Sequence, residues 1–308
     1  MKKFLALILV LMLALTMWVG CGDEGTGETE GTIGTGEVTE PANETPETTE
    51  ETAVVTVGAV DEFMEAIADD VVIELEPGVY NVTEWLLGIC DSVDSEKQLV
   101  DTYGYAWADN VREGIYLSYV FDGYEAVIYR VSNLTIRSED PENPAEIVCE
   151  PRYAQVLYFD GCEDIKLENV IVGHTKEKGE CLGNVLYFDA CTYVDITGCD
   201  LYGCGTYGVA SNVSFNINAD DTTIHDCSYG GVDLTSSRDI NFTNCQFKNT
   251  GDYACVKLSN ESEVYFKDCT FDNVTYLTGY DDDCRAEFEN CTMDGCEITE
   301  YGVYEFAD

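Results

Sequence analysis

Basic residues are scarce in this sequence. Its 308 residues include 15 Lys and Arg against 60 Asp and Glu, which gives a formal net charge of −45. A surface this negative repels polyanions, and this argues against nucleic acids and anionic lipids as partners. Solubility alone is the other explanation of the acidity, and composition does not separate the two.

Histidine and paired cysteine motifs are scarcer still. The sequence has two His residues, and its 15 cysteines do not follow the CxxC spacing of paired zinc knuckles. Zinc sites are usually built from four such ligands. A zinc site is therefore not expected.

Long apolar runs are also lacking. The run from Phe4 to Leu15 follows two lysines and is too short for a spanning helix with a stop-transfer flank. A charged start, an apolar run and a small residue, in this order, are typical of an export signal. The next residues, Gly20 and Cys21, resemble the end of a bacterial lipoprotein signal, with Trp18 where Leu is usual. The resemblance implies a lipoprotein signal peptide at residues 1–20 and lipid attachment at Cys21, and a simple signal peptide with an incidental cysteine is the alternative.

Residues 21–53 lack basic residues altogether. From residue 22 onward the segment is rich in Gly, Thr, Glu and Pro and contains ten acidic residues. Such a composition cannot bury enough apolar surface to fold, and like charges extend it. We expect a disordered acidic linker behind the lipidated Cys21, which tethers a domain at residues 54–308 to the outer face of the bacterial cell membrane. Acyl chains on one cysteine hold a protein at a membrane without crossing it.

The rest of the chain is organised around a repeat. Residues 156–170 read VLYFDGCEDIKLENV, residues 185–199 read VLYFDACTYVDITGC, and four looser copies follow. Aligned on their ends, the copies form columns of like residues. One column is apolar and consists of Leu167, Ile196, Ile224, Phe242, Phe266 and Phe288. A second column holds residues that tolerate a left-handed corner, namely Asn169, Gly198, Asp226, Asn244, Asp268 and Asn290.

This pattern predicts stacked coils. Each copy alternates with period 2, passes through a one-residue corner and continues as a second short strand. The corners recur after 18 to 29 residues, with no helix-length crossover between them. Strands spaced in this way stack in parallel as a solenoid, with neighbouring coils about 4.8 Å apart.

At this point the chain resembles the right-handed parallel β-helix proteins of the pectin-lyase-like superfamily. The resemblance covers roughly residues 54–295 and rests on the Asn/Asp corner column and on VVIELEPGVYNV at residues 71–82. It implies an all-β, single-stranded right-handed parallel β-helix, and the handedness comes from the resemblance alone. A short capping helix is predicted near the start, with Asp61 as its N-cap and with Phe63 and Ile67 on one face. Residues 85–118 are predicted to be an inserted loop.

Cysteines form a further column of the repeat. Its members point inward, behave as small hydrophobic residues and are expected to stay reduced, because side chains stacked in register would strain a bridge. They are Cys199, Cys227, Cys245, Cys269 and Cys291. Cys181 and Cys204 differ, since they lie in glycine-flanked loops at one corner of consecutive coils. A disulfide between these two is predicted, with two free thiols as the alternative.

The resemblance implies three classes of activity: calcium-dependent polysaccharide lyases, polygalacturonase-like hydrolases and surface modules without catalysis. The hydrolase signatures NTD, GHG and RIK are absent, and GDYAC has Tyr253 where a second Asp would be needed after Asp252. Calcium is the one cofactor left open, since residues 281–283 are three aspartates, but a solvated loop explains them as well. Lys257 lies one coil above Asp233, where the two form an acid–base pair or a surface salt bridge. A polyuronate substrate is disfavoured by the charge unless calcium bridges it.

The candidate catalytic residues are His174, Glu180 and Tyr207. Glycine-rich loops at residues 173–183 and 201–208 leave the same corner of adjacent coils and are expected to place these residues and Tyr202 around one depression. A His beside a carboxylate can act as a base near neutral pH. The alternative is a surface His in a structural loop.

These observations predict a surface-anchored β-helix lipoprotein that acts as a monomer and binds or processes carbohydrate, either a polysaccharide or a cell-surface glycan. The alternative is a non-catalytic adhesin or a structural module of the cell envelope. Whether the protein is an enzyme stays open at this stage.

Overall fold

The computed structural model describes residues 52–92, 112–175, 182–203, 206–251, 253–274, 276–280 and 283–296. They lie within the unit Glu50–Asp308. The predicted signal peptide, Cys21 and nearly all of the predicted linker lie outside these residues. Among the described helices none has the length and apolarity needed to cross a membrane.

Three sheets form the walls of a solenoid, because each coil contributes one strand to each sheet. Sheet A contains, in spatial order, β1 (Ala53–Val57), β2 (Val71–Leu75), β6 (Ser132–Ser138), β9 (Glu163–Glu168), β12 (Thr192–Thr197), β15 (Phe215–Asp220), β18 (Arg238–Thr243), β21 (Glu263–Lys267) and β24 (Arg285–Glu289). Sheet B contains β3 (Val79–Asn81), β7 (Glu146–Cys149), β10 (Ile171–His174), β13 (Asp200–Tyr202), β16 (Thr223–His225), β19 (Gln246–Lys248), β22 (Thr270–Asp272) and β25 (Thr292–Asp294). Sheet C contains β4 (Ile115–Val120), β5 (Gly123–Tyr129), β8 (Leu157–Asp160), β11 (Leu186–Asp189), β14 (Tyr207–Asn212), β17 (Gly230–Thr235), β20 (Ala254–Ser259) and β23 (Tyr276–Tyr280).

The predicted all-β parallel solenoid is confirmed. Neighbouring strands pair in parallel and in register, with β4 and β5 as an antiparallel exception. Like residues therefore stack from coil to coil, as where Phe242 lies beside Phe266 and Phe266 beside Phe288. These three rings are at most 3 % exposed. The apolar column is the core of the protein.

The register predicted for the third copy is wrong. Ile196 pairs with Ala219, whereas Ile224 lies in sheet B beside Leu201. The third coil carries a small Ala at the position where the other coils have a large apolar residue. Ile224 lies five residues after Ala219 in the chain. The predicted alignment therefore placed a residue of sheet B in the column of sheet A.

The corners have the predicted conformation, with one change of residue. The corner of the third coil between sheets A and B is Asp221 (φ 50°), and the predicted Asp226 (φ 55°) forms a different corner that follows sheet B. With this correction, the spacing from Gly198 through Asp221 to Asn244 is 23 residues in each step. All members of the corrected column have the left-handed φ that Asn, Asp and Gly tolerate best, namely Asn169, Gly198, Asp221, Asn244, Asp268 and Asn290.

The cysteine column points inward and is reduced, as predicted, with Cys291 only partly buried, and the third coil again differs. Thr222 takes the place assigned to Cys227, and its hydroxyl accepts a hydrogen bond from Cys199 N at 3.3 Å. The other members are free thiols, namely Cys199, Cys245, Cys269 and Cys291. Burial raises the pKa of Cys199 to about 11, so its thiol stays neutral. The predicted disulfide cannot be placed, because Cys181 and Cys204 lie outside the described residues.

The first coil is capped by a helix, α1 (Val60–Ala66), that packs as predicted on Phe63 and Ile67, both fully buried. Its N-cap is Ala59 and not Asp61, and no side chain caps the helix there. At its other end the guanidinium of Arg112 donates to Met64 O at 2.7 Å and to Ile67 O at 2.6 Å. These bonds satisfy carbonyls that a helix end leaves without partners.

The predicted loop at residues 85–118 is partly regular structure. A second helix, α2 (Val82–Ser92), begins before it and buries Trp85, and β4 lies at its end. Asn81 Oδ1 accepts a hydrogen bond from Thr83 N at 3.1 Å, and Glu84 follows three residues after Asn81. Asn followed by Glu at this spacing is a helix-start signal. The prediction of a loop from residue 85 did not take it into account.

Candidate functional site

A groove follows the outer face of sheet C. Its floor is a row of outward side chains on successive strands, because each pairs in register with the next. The row consists of Tyr158, Tyr187, Ala210, Asp233 and Lys257. Ala210 interrupts the large side chains and leaves a cavity of about 640 Å³. The groove crosses the strands from β8 to β20, a span of about 19 Å at about 4.8 Å per strand.

Two groups of tyrosine rings line this groove. Tyr158 and Tyr187 meet edge to face with ring centres 4.9 Å apart. Beyond Ala210, Tyr229 lies 4.6 Å from Tyr253 and 6.3 Å from Tyr207. Burial is the main cause that raises the pKa of Tyr187 to about 12, so its phenol stays protonated and can donate a hydrogen bond. A groove of this kind offers flat apolar faces together with hydroxyl groups.

One ion pair lies at the far end of the floor. Lys257 Nζ donates to Asp233 Oδ2 at 2.8 Å and lies 5.7 Å from the centre of the Tyr207 ring. This confirms the stacking of Asp233 and Lys257 that the sequence predicted. The second oxygen, Asp233 Oδ1, is buried and has no hydrogen-bond partner. The ammonium of Lys257 therefore holds the carboxylate of Asp233 in place.

The edge of the groove at the N-terminal ends of β8, β11 and β14 is held by amide side chains. Gln155 Oε1 accepts from Asn184 N at 2.6 Å, and Asn184 Oδ1 accepts from Tyr207 N at 3.1 Å. These bonds link loops of three successive coils. The edge is therefore built from interlocked backbone, and its geometry is set before any ligand arrives.

The structure corrects the position predicted for His174. Its side chain is 2 % exposed and points into the protein, where Nε2–H donates to Ala154 O at 3.0 Å. Nδ1 is buried without a partner, and burial lowers the pKa of the ring, so the imidazole is neutral. A substrate cannot reach it. His174 supports the loop at residues 151–155 from below, because the strand that ends at His174 turns its last side chain inward.

The other predicted site residues are divided between two faces. Tyr207 contributes to the groove lining, although only 4 % of it is exposed. Tyr202 does not, since it lies on the outer face of sheet B and stacks on His225 with ring centres 5.8 Å apart. Glu180 lies outside the described residues.

Tyr158 and Tyr187 were not among the predicted site residues, although both line the groove. The signal was present in the repeated VLYFD, because period-2 alternation places Leu and Phe inward and Tyr and Asp outward. Both copies carry Tyr at this outward position, in register with each other. An outward tyrosine repeated in two consecutive coils was therefore the sequence signal for the groove.

A second titratable cluster lies on sheet B, centred on His225. Its Nε2 lies 2.8 Å from Asp200 Oδ1, and its Nδ1 lies 2.6 Å from Asp226 Oδ2. These hydrogen bonds, led by that of Asp200, raise the pKa of His225. With both nitrogens beside carboxylates, the protonated form of the ring is favoured.

We expect His225→Gln to remove a pH-dependent part of the free energy of unfolding. The folded protein holds the His225 proton more tightly than the unfolded chain, whose pKa is about 6.5. The contribution is fully present below about pH 6.5 and is lost as pH rises through the raised folded pKa. Urea unfolding of both proteins from about pH 5 to about pH 9 should show a difference that shrinks at the alkaline end.

His174→Gln is the matched control, because it should change the pH dependence of the free energy of unfolding in the opposite direction. Burial lowers the pKa of His174, so its stabilising contribution is present above the unfolded pKa of about 6.5 and is lost as pH falls below that value. Removing each His should therefore change the pH profile in opposite directions. The same trend in both variants would contradict the roles assigned to the two rings.

Calcium, which the sequence left open, has no support from the grouping of the described side chains. Within the described ranges, no group of three or more His, Cys, Asp or Glu side chains is arranged to hold a metal ion. Asp283 is exposed, and residues 281 and 282 lie outside the described residues, as does Asp252. Calcium binding therefore stays a prediction from the resemblance.

Comparison with known proteins agrees on the fold. Residues 155–307 match the family described as "Right handed beta helix region". No curated protein matches the sequence. The parallel coils and this match together give a right-handed parallel β-helix, as the resemblance predicted.

Solved structures with a similar fold include three proteins whose names describe enzymes that act on polysaccharides. Pectin methylesterase PemA from Erwinia chrysanthemi is 11 % identical, with 83 % of this chain and 93 % of that chain covered and a TM-score of 0.45. Alginate lyase from Paenibacillus sp. strain FPU-7 is 13 % identical, with 82 % and 98 % covered and a TM-score of 0.41. Pectate lyase Pel9A is 12 % identical, with 82 % and 78 % covered and a TM-score of 0.37. Likeness at this level concerns the fold and transfers no activity to this chain.

Proposed function

Starting from a right-handed parallel β-helix with a tyrosine-lined groove on sheet C, we propose that this protein binds a polysaccharide or cell-surface glycan along that groove. The observation that carries the proposal is the set of tyrosines that line the groove: Tyr158 and Tyr187 lie in its floor, and Tyr229 and Tyr253 lie beside the largely buried Tyr207. Sugar rings have apolar faces that pack on aromatic rings and hydroxyl edges that need hydrogen-bond partners. The groove provides both over a length of several sugar residues.

The charged residues of the groove favour an uncharged glycan, without carboxylates, as the ligand. Of the described residues that line the groove, Asp233 alone carries a carboxylate and Lys257 alone an ammonium, and they neutralise each other. The rest of the protein is strongly acidic, with a formal net charge of −45. A polyuronate would be repelled at long range and would find no free cation in the described groove lining.

Binding is favoured over cleavage by the same residues. Hydrolysis of a glycosidic bond uses two positioned carboxylates, one as acid and one as base or nucleophile. The described lining supplies one carboxylate, Asp233, and it is engaged by Lys257 at 2.8 Å. We therefore place glycan binding first and processing second.

The proposal includes a location at the outer face of the cell membrane. The basis is the sequence at residues 1–21, whose apolar run ends in Gly20-Cys21. In the proposed arrangement lipid on Cys21 holds the chain at the membrane, and the acidic linker carries the groove outward. Cys21→Ser should release the protein into the medium, and unchanged partition into the membrane fraction would contradict the anchor.

Tyr187→Ala is the substitution that tests the groove. A panel of neutral glycans and polyuronates is measured by calorimetry with the wild-type domain, together with assays for released reducing sugar and unsaturated products. We expect a neutral glycan to bind, and Tyr187→Ala to weaken that binding by about tenfold, the effect of roughly 1.4 kcal/mol. Burial of aromatic surface is the source of this loss.

Tyr193→Ala is the matched control, because Tyr193 is an exposed tyrosine on sheet A, outside the groove. It should bind the glycan as the wild type does. Equal losses in both variants, or binding of polyuronates alone, would contradict the proposal. Product release from a bound glycan would instead establish processing.

A further inference from the structure

An exposed aromatic pair lies beyond the groove at the tip of the β4–β5 hairpin. Phe121 is 80 % exposed, and its ring centre lies 5.0 Å from that of Tyr153, which is half-buried. A fully exposed Phe keeps a large apolar surface in water, and exposed apolar surface of this kind often marks a binding site. We call Phe121 and Tyr153 the aromatic platform.

The backbone beneath the platform is fixed by carboxylates of the hairpin. Asp122 Oδ2 accepts from Arg152 N at 2.8 Å, and Asp122 Oδ1 accepts from Tyr153 N at 3.2 Å. Glu125 is 6 % exposed, and its Oε2 accepts from Gln155 N at 2.9 Å. Together these acceptors hold three amides of the segment 152–155. Tyr153 therefore sits on a backbone that is ordered without a ligand.

The interior supports the same segment from below. Ala154 O accepts the hydrogen bond from the buried His174, and Arg152 O accepts from Gly183 N at 2.9 Å. On the hairpin side, Gly123 lies so close to Pro151 that an added Cβ would come within 2.8 Å of the proline ring. The platform is thus set against the first full coils of the solenoid, and a ligand would meet an aromatic surface that needs no ordering.

The platform is continuous with the groove. Gln155, two residues after Tyr153, lines the groove, and so does Leu182, which is 57 % exposed and precedes Gly183. A chain lying in the groove can therefore continue past these residues onto the platform. The alternative occupant, a second copy of the protein, would have to bring its own strong negative charge against this acidic surface.

We propose that Phe121 and Tyr153 form an additional sugar-binding subsite, which takes further residues of the same uncharged glycan that occupies the groove. This inference rests on the proposed function of the groove. Each aromatic ring supplies a flat apolar face for one side of a sugar ring, and the glycan needs no charge to bind. The subsite lengthens the binding surface beyond β8 and selects for long chains.

Chain length separates the subsite from the groove. Binding of a size series of the neutral glycan identified in the panel is measured for the wild type, Phe121→Ala and Tyr153→Ala. We expect wild-type affinity to keep rising after the groove is filled, and both variants to lose about fivefold in affinity for long chains while binding short chains normally. Phe121 is exposed, so its removal should leave the fold intact, which circular dichroism checks.

Tyr119→Ala is the control on the same hairpin. Tyr119 is 56 % exposed and pairs with Tyr124, one residue out of step with Glu125 and hence on the other face of the hairpin. It should bind long chains as the wild type does. Normal binding of long chains by both platform variants, with loss in Tyr187→Ala, would overturn the subsite and leave the groove in place. No glycan binding by the wild type would overturn both, and a dimer that Phe121→Ala dissociates in sedimentation would assign the platform to a second copy instead.

Discussion

Phe266→Ala should lower the free energy of unfolding by about 3–5 kcal/mol, the cost of removing a large aromatic side chain from a core. The ring of Phe266 is fully buried and stacks between Phe242 at 5.1 Å and Phe288 at 5.0 Å. Two further rings, Phe247 and Phe271, meet it edge to face. The substitution leaves a cavity inside a stack that passes through successive coils, where strand pairing on both sides limits collapse.

Chemical denaturation of the domain measures this loss, with Phe121→Ala as the matched control. The same substitution at an 80 % exposed position should change the free energy of unfolding by no more than about 0.5 kcal/mol. A loss below about 1 kcal/mol at Phe266 would be incompatible with a core position. Such a result would mean that the register of sheet A is wrong.

Gly183→Ala should be nearly as damaging, by about 2 kcal/mol or more, although it adds a single methyl group. A Cβ at this position would lie 1.9 Å from Ala154 O and 2.6 Å from Ala154 C, which are backbone atoms. The loop cannot yield easily, because His174 holds the same carbonyl at 3.0 Å. Gly183 N also donates to Arg152 O, so a shift would break a backbone hydrogen bond.

Gly88→Ala is the control, because the same methyl group there meets nothing within 4 Å. Gly88 lies inside α2, where Ala is the better helix former, so this variant should gain about 0.5–1 kcal/mol. Thermal and urea unfolding give both values. Two variants with equal stability would show that the segments at Gly183 and Ala154 are not in close contact.

Gly183→Ala should also weaken glycan binding in the proposed groove. Its neighbours Leu182 and Asn184 line the groove, and Ala154 belongs to the segment that carries Tyr153. A displaced loop would move both the edge of the groove and the platform. Gly88→Ala should bind normally, since α2 contributes no residue to the described groove lining.

The coils were predictable because the repeat shows two independent patterns, one of apolar and polar residues and one of corner residues. Alternation of apolar and polar residues gives the strands, and a left-handed corner that tolerates few residues gives their ends. Where both signals hold, as from Phe242 to Asn244 and from Phe266 to Asp268, the predicted register is the observed one. In the third coil Ala219 weakens the first signal, and the prediction failed there.

The predicted depression was wrong for His174, although the strand pattern contained its direction. His174 and Tyr207 were assigned to one depression because they lie in glycine-rich loops of adjacent coils. Tyr207 faces the groove, whereas His174 turns inward to Ala154 O. His174 is the last residue of β10 and follows the buried Val172 by two positions, so period-2 alternation already places its side chain on the inner face.

The sequence by itself determined the parallel coils, the inward column of cysteines and the acidity of the protein, because these depend on periodicity and composition. The groove was decided by the tertiary structure alone. Tyr158, Ala210 and Asp233 are far apart along the chain, and they meet because register places residues of separate coils a strand apart. The aromatic platform likewise depends on a hairpin that brings Phe121 to Tyr153. Local pattern fixes a strand and its faces, while the surfaces that bind ligands arise from pairing between strands, which no single stretch of sequence contains.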